Sequence, residues 1–256
     1  MPKLSRAGVQ IYYEVHGQGS ALLLSHGYSA TSQMWHGQID AFAPFYKLIT
    51  WDMRGHGQSD YPEDQNAYSE DATVDDMAAV LDEVGARDAI VGGLSLGGYM
   101  SLAFRLRHPE RVKALLIIDT GPGFKNDQAR ADWNKHAGSY ALEFEKNGLA
   151  SLQSRSKEMA ESQHRNASGL IKAAKGMLTQ RDAGVINSLP NINVPSLVVV
   201  GADDKPFLAA ADYMAGKIPN AAKVVIPNAG HAVNIDQPQA FNAAVLAFLK
   251  DAGLKR

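Results

Sequence analysis

The sequence contains no cysteine among its 256 residues. This absence excludes a disulfide framework, a thiolate nucleophile and any cysteine-ligated metal site. The formal net charge is −2, and no dense run of lysine or arginine occurs. The electrostatic footprint of a protein that binds nucleic acid or an anionic membrane is therefore missing. We expect the partner to be a small-molecule substrate.

Long hydrophobic runs are also missing. The longest apolar stretches, residues 21–24 and 114–118, have the length of strands and fall far short of a bilayer span. Lys3 and Arg6 precede no apolar block of signal-peptide length. A cytoplasmic location is the default expectation. Oligomeric state is not readable from these features, and a homodimer is left open.

The sequence shows no P-loop, no paired-glycine dinucleotide fingerprint and no HExxH pattern. Nucleotide and zinc chemistry therefore have no support, and we expect neither a cofactor nor a metal. Asn166-Ala167-Ser168 fits a glycosylation acceptor, which is coincidental without a signal peptide.

The chain alternates apolar runs with amphipathic stretches. The runs predict strands at residues 9–15, 21–24, 46–51, 89–91, 112–118, 196–200 and 223–226. Helical spacing predicts helices at residues 73–84, 97–106, 208–217 and 239–250. This alternation predicts the α/β class, with a mostly parallel central sheet and helices on both faces. We expect residues 1–120 and 190–256 to form the core and residues 121–189 an inserted helical cap.

One motif carries the chemistry, Gly93-Leu94-Ser95-Leu96-Gly97, which follows a predicted strand and opens a predicted helix. Such a turn holds its central residue in a strained conformation, and the flanking glycines keep bulk away from it. The Ser95 hydroxyl is then exposed at the carboxyl edge of the sheet. The alternative interpretation is an ordinary glycine-rich turn.

A serine nucleophile needs a base and a group that orients the base. His231 follows the strand predicted at residues 223–226, and Asp203-Asp204 follows the strand at residues 196–200. All three loops leave the same sheet edge, so their side chains can converge. We favour Asp204 as the acid and assign Asp203 to turn formation or helix capping.

The tetrahedral intermediate needs hydrogen-bond donors for its oxyanion. The residue after the nucleophile, Leu96, supplies one backbone N–H, and the loop after an early strand supplies the second. In that loop Gly27 allows close approach of the backbone, and we choose the N–H of Tyr28. We interpret His26 as a brace of this loop rather than a catalyst. Residues 52–57 are interpreted as a structural turn held by buried polar contacts.

The chain resembles the α/β-hydrolase superfamily along almost its entire length. The matching segments are residues 26–28, 52–60, 93–98, 108–112, 201–204 and 230–231. The resemblance implies Ser95, Asp204 and His231 as the catalytic triad and Tyr28 and Leu96 as oxyanion donors. The chain is similar to small capped esterases, 3-oxoadipate enol-lactonases and cofactor-free perhydrolases. Dehalogenases and epoxide hydrolases of the superfamily use an aspartate nucleophile, so serine at position 95 argues against them.

These features predict hydrolysis of a small to medium carboxylic ester or lactone through an acyl-enzyme. We expect Phe124, Trp133, Phe207 and Val233 to contribute to the substrate pocket. One alternative is a triad-dependent lyase or carbon–carbon bond hydrolase acting on a carboxylated substrate, because residues 93–123 are also similar to the menaquinone-pathway synthase. That chemistry would need a cationic cluster, for which Arg130, Lys135 and Arg155 are candidates. A non-catalytic ligand-binding protein is the other alternative.

Overall fold

A single sheet organises the chain in the computed structural model, which describes residues 2–254. Its strands follow the spatial order β1-β2-β4-β3-β5-β6-β7-β8. β1 and β2 pair antiparallel, as do β2 and β4, and the remaining neighbours pair parallel. The strands are β1 (Lys3–Arg6), β2 (Val9–His16), β3 (Ser20–Ser25), β4 (Tyr46–Trp51), β5 (Ala89–Leu94), β6 (Val112–Ile118), β7 (Ser196–Gly201) and β8 (Ala221–Ile226).

Helices connect the strands and cover both faces of the sheet. The α-helices are α1 (Ile39–Phe42), α2 (Glu70–Glu83), α3 (Leu96–Arg107), α4 (Asp127–Asn147), α5 (Lys157–Ala160), α6 (Ser168–Lys175), α7 (Gly184–Ser188), α8 (Lys205–Lys217), α9 (Val233–Asp236) and α10 (Pro238–Asp251). Short 3-10 helices span Ser32–Gln38, Gln65–Ala67, Pro109–Arg111, Gly148–Ser154 and Leu189–Asn191.

The central strands are buried on both faces, as their continuous apolar runs predict. Successive residues of β6 point to opposite sides, so Leu115 packs with the cluster of α2, α3 and α8 while Leu116 packs with that of α1 and α10. The α/β-hydrolase fold predicted from the sequence is confirmed by this topology.

All of the chain between β6 and β7 is helical or irregular, from α4 to α7. We call residues 121–189 the cap segment; their status as a separate domain stays a prediction. Phe144 and Leu170 from this segment belong to the same buried cluster as α2 and α3. The cap segment is therefore packed onto the core without a boundary between two hydrophobic cores.

The structure differs from the predicted elements mainly at their ends. β1 is missed by the sequence pattern because it is a four-residue edge strand with polar residues at three positions. Helix α8 begins at Lys205 rather than residue 208, since Pro206 occupies its first turn, where proline is tolerated. Within residues 2–254, no helix is both long and apolar enough to cross a membrane.

Candidate active site

Ser95 occupies a tight turn between β5 and α3. Its φ of 55° and ψ of −117° lie in a region that non-glycine residues rarely adopt. A Cβ placed on Gly97 would lie 2.3 Å from the carbonyl oxygen of Ser25, so only glycine fits there. The close approach of β3 to this turn thus explains the glycine of the motif, and Ser95 remains partly exposed.

His231 and Asp204 form the hydrogen bond that the sequence suggested. His231 Nδ1 and Asp204 Oδ2 are 2.7 Å apart, and the Asp204 side chain is 7% exposed. Asp203 is exposed, and its backbone N–H donates to the carbonyl of Ala229. The geometry therefore selects Asp204 over Asp203 as the partner of the imidazole. The ring of Phe207 stacks on His231 with centroids 5.1 Å apart.

Ser95, His231 and Asp204 line the wall of one cavity. In the described part of the chain, the Ser95 hydroxyl makes no hydrogen bond to His231. Such contacts are commonly long in proteins without substrate and tighten when the reacting complex forms. The three side chains are thus brought together, with the imidazole–carboxylate half already hydrogen-bonded.

The two predicted oxyanion donors are available beside Ser95. Across residues 2–254, the backbone N–H groups of Tyr28 and Leu96 donate to no other group. A Cβ built on Gly27 would be 3.5 Å from the Cβ of Ser95, so the Tyr28 loop lies against the nucleophile turn. Leu96 begins α3, where the positive end of the helix dipole favours a nearby anion.

Two cavities meet at Ser95. The apolar cavity, of about 450 Å³, is formed mainly by hydrocarbon and aromatic side chains: Leu96, Tyr99, Phe124, Trp133, Ile186 and Tyr213. The polar cavity, of about 570 Å³, includes the imidazole and hydrogen-bonding side chains: Tyr28, His136, Tyr140, Glu143, Arg155 and His231. A substrate bound at Ser95 can therefore place an apolar group on one side and a polar group on the other.

Three of the four predicted pocket residues line these cavities. Phe124 lines the apolar cavity, while Trp133 and Phe207 line both. The prediction for Val233 is wrong, because its side chain is fully buried in the core cluster against α10 and lines neither cavity. Val233 begins α9 two residues after His231, and this helix turns the side chain away from the site.

The structural interpretation of residues 52–57 is confirmed. The buried carboxylate of Asp52 accepts hydrogen bonds from the backbone N–H groups of Ser32 and Gln58, at 2.7 Å and 2.8 Å. Arg54 forms a buried ion pair with Asp76. His26 accepts from the N–H of Met53 at 2.9 Å, which makes it the loop brace that we expected.

Sequence reasoning missed one polar residue near the site. Asp119, at the end of β6, is buried and interacts electrostatically with the Asp204 carboxylate. Its position after a buried strand at the same edge as Ser95 was the available signal. Of the candidate cations, Arg155 lines the polar cavity, whereas Arg130 and Lys135 line neither cavity. Within the described residues, no group of three or more histidine, aspartate or glutamate side chains is arranged to hold a metal ion.

The comparisons with known proteins agree with this architecture. A sequence profile described as the alpha/beta hydrolase fold matches residues 20–170 and 145–238. The chain therefore belongs to the α/β-hydrolase family.

Among curated relatives, a putative 2-succinyl-6-hydroxy-2,4-cyclohexadiene-1-carboxylate synthase of Bacillus subtilis is 29% identical, over 93% of this chain and 95% of its own. The 3-oxoadipate enol-lactonase 2 of Acinetobacter baylyi is 28% identical, over 96% of each chain. Among solved structures, a thermophilic esterase from Thermogutta terrifontis is 26% identical with a TM-score of 0.82, over 98% of this chain and 99% of the other. These similar proteins are named for different activities.

Proposed function

We propose that this protein hydrolyses a small to medium carboxylic ester or lactone, with Ser95 as nucleophile, His231 as base and Asp204 as the acid that orients it. One observation carries the proposal. Ser95 sits partly exposed on a strained turn and shares a cavity wall with an imidazole hydrogen-bonded to a buried carboxylate.

Each group has a defined task in acylation. His231 Nε2 takes the proton of the Ser95 hydroxyl, and the serine oxygen attacks the substrate carbonyl. The free N–H groups of Tyr28 and Leu96 stabilise the negative charge on the carbonyl oxygen. Asp204 keeps the proton of the neutral imidazole on Nδ1 and stabilises the charged ring. The leaving alcohol takes the proton from His231, and an acyl-enzyme remains.

Deacylation repeats the same steps with water. His231 removes a proton from the water molecule, and the hydroxyl attacks the acyl carbonyl. The bond between the acyl carbon and Ser95 Oγ then breaks, His231 returns the proton to the serine oxygen, and the acid is released. The relatives named as an enol-lactonase and an esterase support this class of substrate for the chain.

The two cavities favour an asymmetric substrate. The apolar cavity fits an alkyl or aryl group, and the polar cavity fits a group that makes hydrogen bonds. Cavities of this size accept ligands in the small to medium range.

A series of p-nitrophenyl esters, from acetate to longer acyl chains, tests this proposal. We expect turnover by the wild-type protein and loss of at least about a thousandfold in Ser95→Ala. Equal rates in the two proteins would remove Ser95 from the mechanism. Ser154→Ala is a suitable control, since Ser154 lines the polar cavity and lies outside the proposed triad.

Arg155 favours a second candidate, a lyase or carbon–carbon bond hydrolase acting on a carboxylated substrate. Its side chain is 10% exposed and lies over the rings of Tyr140 and Phe144, at 4.6 Å and 4.9 Å from their centroids. One terminal nitrogen, Nη2, donates to Glu143 at 2.7 Å. Within residues 2–254 the other terminal nitrogen, Nη1, makes no hydrogen bond and, unlike Nε, is not among the buried unpaired atoms. The guanidinium therefore retains donors for a substrate carboxylate.

The two candidates differ in their dependence on Arg155. If the natural substrate is carboxylated, Arg155→Met should lower kcat/KM for an anionic ester by about tenfold or more and leave a neutral ester unchanged. Equal effects on both esters would count against the second candidate. Release of carboxylate product from a carboxylated 1,3-diketone would distinguish carbon–carbon cleavage from ester hydrolysis.

A further inference from the structure

Asp119 is a buried carboxyl group that the proposed mechanism does not use. It follows β6 directly, is 1% exposed, and has a φ of 41° in the left-handed region. Its backbone N–H donates to the carbonyl of Val199 on the neighbouring strand. An aspartate in this conformation is held by its surroundings, since few residues adopt it freely.

The two oxygens of Asp119 have different environments. Oδ1 accepts a hydrogen bond from the N–H of Gly201 at 2.8 Å, and the N–H of Val233 also faces the carboxyl group. Oδ2 is buried and has no donor among the described residues. The side chain within hydrogen-bonding reach is that of Asp204, which is itself an acceptor toward His231. Two carboxyl groups form a hydrogen bond only when one of them carries a proton.

Physical chemistry indicates which of the two holds that proton. Burial, followed by the negative charge of Asp204, raises the pKa of Asp119 well above its usual range, although the N–H groups of Gly201 and Val233 oppose the change. Within residues 2–254, Asp204 is the titratable side chain whose charge contributes to the raised pKa of Asp119. Asp204 in turn contacts His231, with its Oδ2 2.7 Å from Nδ1.

We propose that Asp119 is a positioning residue that keeps its proton at neutral pH and donates it in a hydrogen bond to Asp204. The proposal rests on the proposed function, because it gives Asp204 the task of orienting His231. The Asp204 carboxylate is then held both by Nδ1 of His231, through Oδ2, and by the hydroxyl of Asp119, which opposes its rotation away from the imidazole. The proton stays on Asp119 throughout the reaction, and no bond other than this hydrogen bond is involved.

Removing Asp119 should shift the titration midpoint of His231. The direction of that shift distinguishes a protonated Asp119 from an ionised one. A neutral donor withdraws electron density from Asp204 and weakens its stabilisation of the charged imidazole. Removing the donor would therefore make His231 easier to protonate. An ionised Asp119 would add a second negative charge near the ring, and its removal would make His231 harder to protonate.

An NMR titration of His231 tests the sign without any substrate. It compares Ser95→Ala alone with the double variants that add Asp119→Asn or Asp119→Ala. We expect Asn, whose amide can donate to Asp204, to leave the titration midpoint within a few tenths of a unit. Ala should raise the midpoint by about one unit, as expected for loss of one hydrogen bond to a charged group. A lower midpoint in both variants would overturn the proposal. Asp203→Asn, which removes an exposed neighbouring carboxylate, is the matched control.

Thermal unfolding of wild type and Asp119→Asn against pH gives a second readout. With a raised pKa, folded Asp119 keeps a proton that the unfolded chain releases above about pH 4. The folded state then binds more protons, so the contribution of Asp119 to stability falls as pH rises. The Tm of Asp119→Asn minus that of wild type should increase by about 3 °C for each pH unit between pH 5 and 8.

A constant difference, or one of opposite slope, would show that Asp119 is ionised in the folded protein. Neither measurement uses turnover. An inactive protein would thus refute the proposed function, while the titration and the unfolding curves would still determine whether Asp119 carries its proton.

Discussion

Ser95 lies between the strand ends of the sheet and the cap segment, and these two regions contribute to the site in different ways. On the sheet side the backbone fixes Ser95, because its N–H donates to the carbonyl of Ile118 at 2.9 Å and its carbonyl accepts from Thr120 Oγ1 at 2.7 Å. On the cap side the cavity walls are side chains that remain partly in solvent, such as Phe124, which is 40% exposed. The groups at the strand ends are therefore fixed by the backbone, whereas the cap segment contributes side chains to the cavity walls.

The cap segment packs closely against the core loops where the two regions meet. His164 of the cap segment accepts from the N–H of Gly57 at 3.1 Å, and its other ring nitrogen contacts the carbonyl of Ser29 at 3.0 Å. A Cβ on Gly169 would lie 2.3 Å from the carbonyl oxygen of Gly55. The cap segment is thus anchored to the core at this end.

The largest effect should come from the sheet side. We expect Asp204→Asn to lower kcat by about 10⁴-fold, because the amide would favour the wrong tautomer of His231. Ester hydrolysis at saturating substrate measures this loss.

Asp203→Asn makes the same chemical change one residue earlier. Asp203 is exposed, and within residues 2–254 its side chain makes no hydrogen bond, while its backbone N–H donates to Ala229. The kcat of Asp203→Asn should therefore differ from that of wild type by less than about twofold. Comparable losses in the two variants would mean that the 2.7 Å bond does not orient the base.

The second-largest effect should be a loss of stability at low pH, caused by the buried histidines where the cap segment meets the core. Burial lowers the pKa of His26 and of His164 to about 4 and lowers that of His56 well below its usual range. The unfolded chain protonates these rings near pH 6.5, so the stability they contribute is present above that pH and is lost as pH falls toward 4.

Each of the two shifts to about 4 corresponds to about 3 kcal/mol. Chemical denaturation at pH 7.5, 6 and 5 should show a progressive loss in the free energy of unfolding. His164→Gln should reduce this slope, and His136→Gln, which changes an exposed cap histidine, should not. If the free energy of unfolding depends on pH equally in both variants, residues other than His164 cause the loss of stability in acid.

The third effect contrasts the same substitution in the two regions. Gly97→Ala should destabilise the fold by about 1–3 kcal/mol, because the new methyl group overlaps the backbone of Ser25. Gly138→Ala in α4 meets no atom within 4 Å and should stabilise the helix by up to about 1 kcal/mol. Thermal unfolding of the two variants measures the difference, and a loss of similar size in both would contradict it.

The smallest effect should come from the cap wall. Trp133→Ala removes a side chain that lines both cavities. We expect the ratio of kcat/KM for butyrate over acetate esters to change by about tenfold, the scale of a lost apolar contact. Leu142→Ala on the same helix changes a side chain that is 63% exposed and should leave the ratio unaltered. An unchanged ratio in Trp133→Ala would mean that the acyl group binds elsewhere.

The same contrast explains what could be predicted from the sequence. Residues at strand ends are readable, because a buried run such as 196–200 followed by a polar loop locates Asp204 at the sheet edge. His26 was readable as a brace for the same reason, since its loop leaves β3 beside Ser95. Local chemistry and parallel strand order are sufficient for these placements.

Side-chain directions and long-range neighbours were not readable. Val233 lies two residues after His231, yet the short helix α9 directs it into the core. Asp119 looks like a turn residue in the chain, and its contact with Asp204 depends on the alignment of β6 with β7. Whether Arg155 or Arg130 reaches the cavity depends on how α4 and the following 3-10 helix pack, which no local pattern determines.

Covalent labelling tests the central claim most directly. A fluorophosphonate reacts with a serine only when a neighbouring base activates it and oxyanion donors stabilise the adduct. We predict one adduct per chain, located by peptide mass spectrometry on Ser95, with labelling strongly slowed in Asp204→Asn and absent in Ser95→Ala. A labelled residue elsewhere, or ester turnover by wild type with Ser95 unlabelled, would contradict the account.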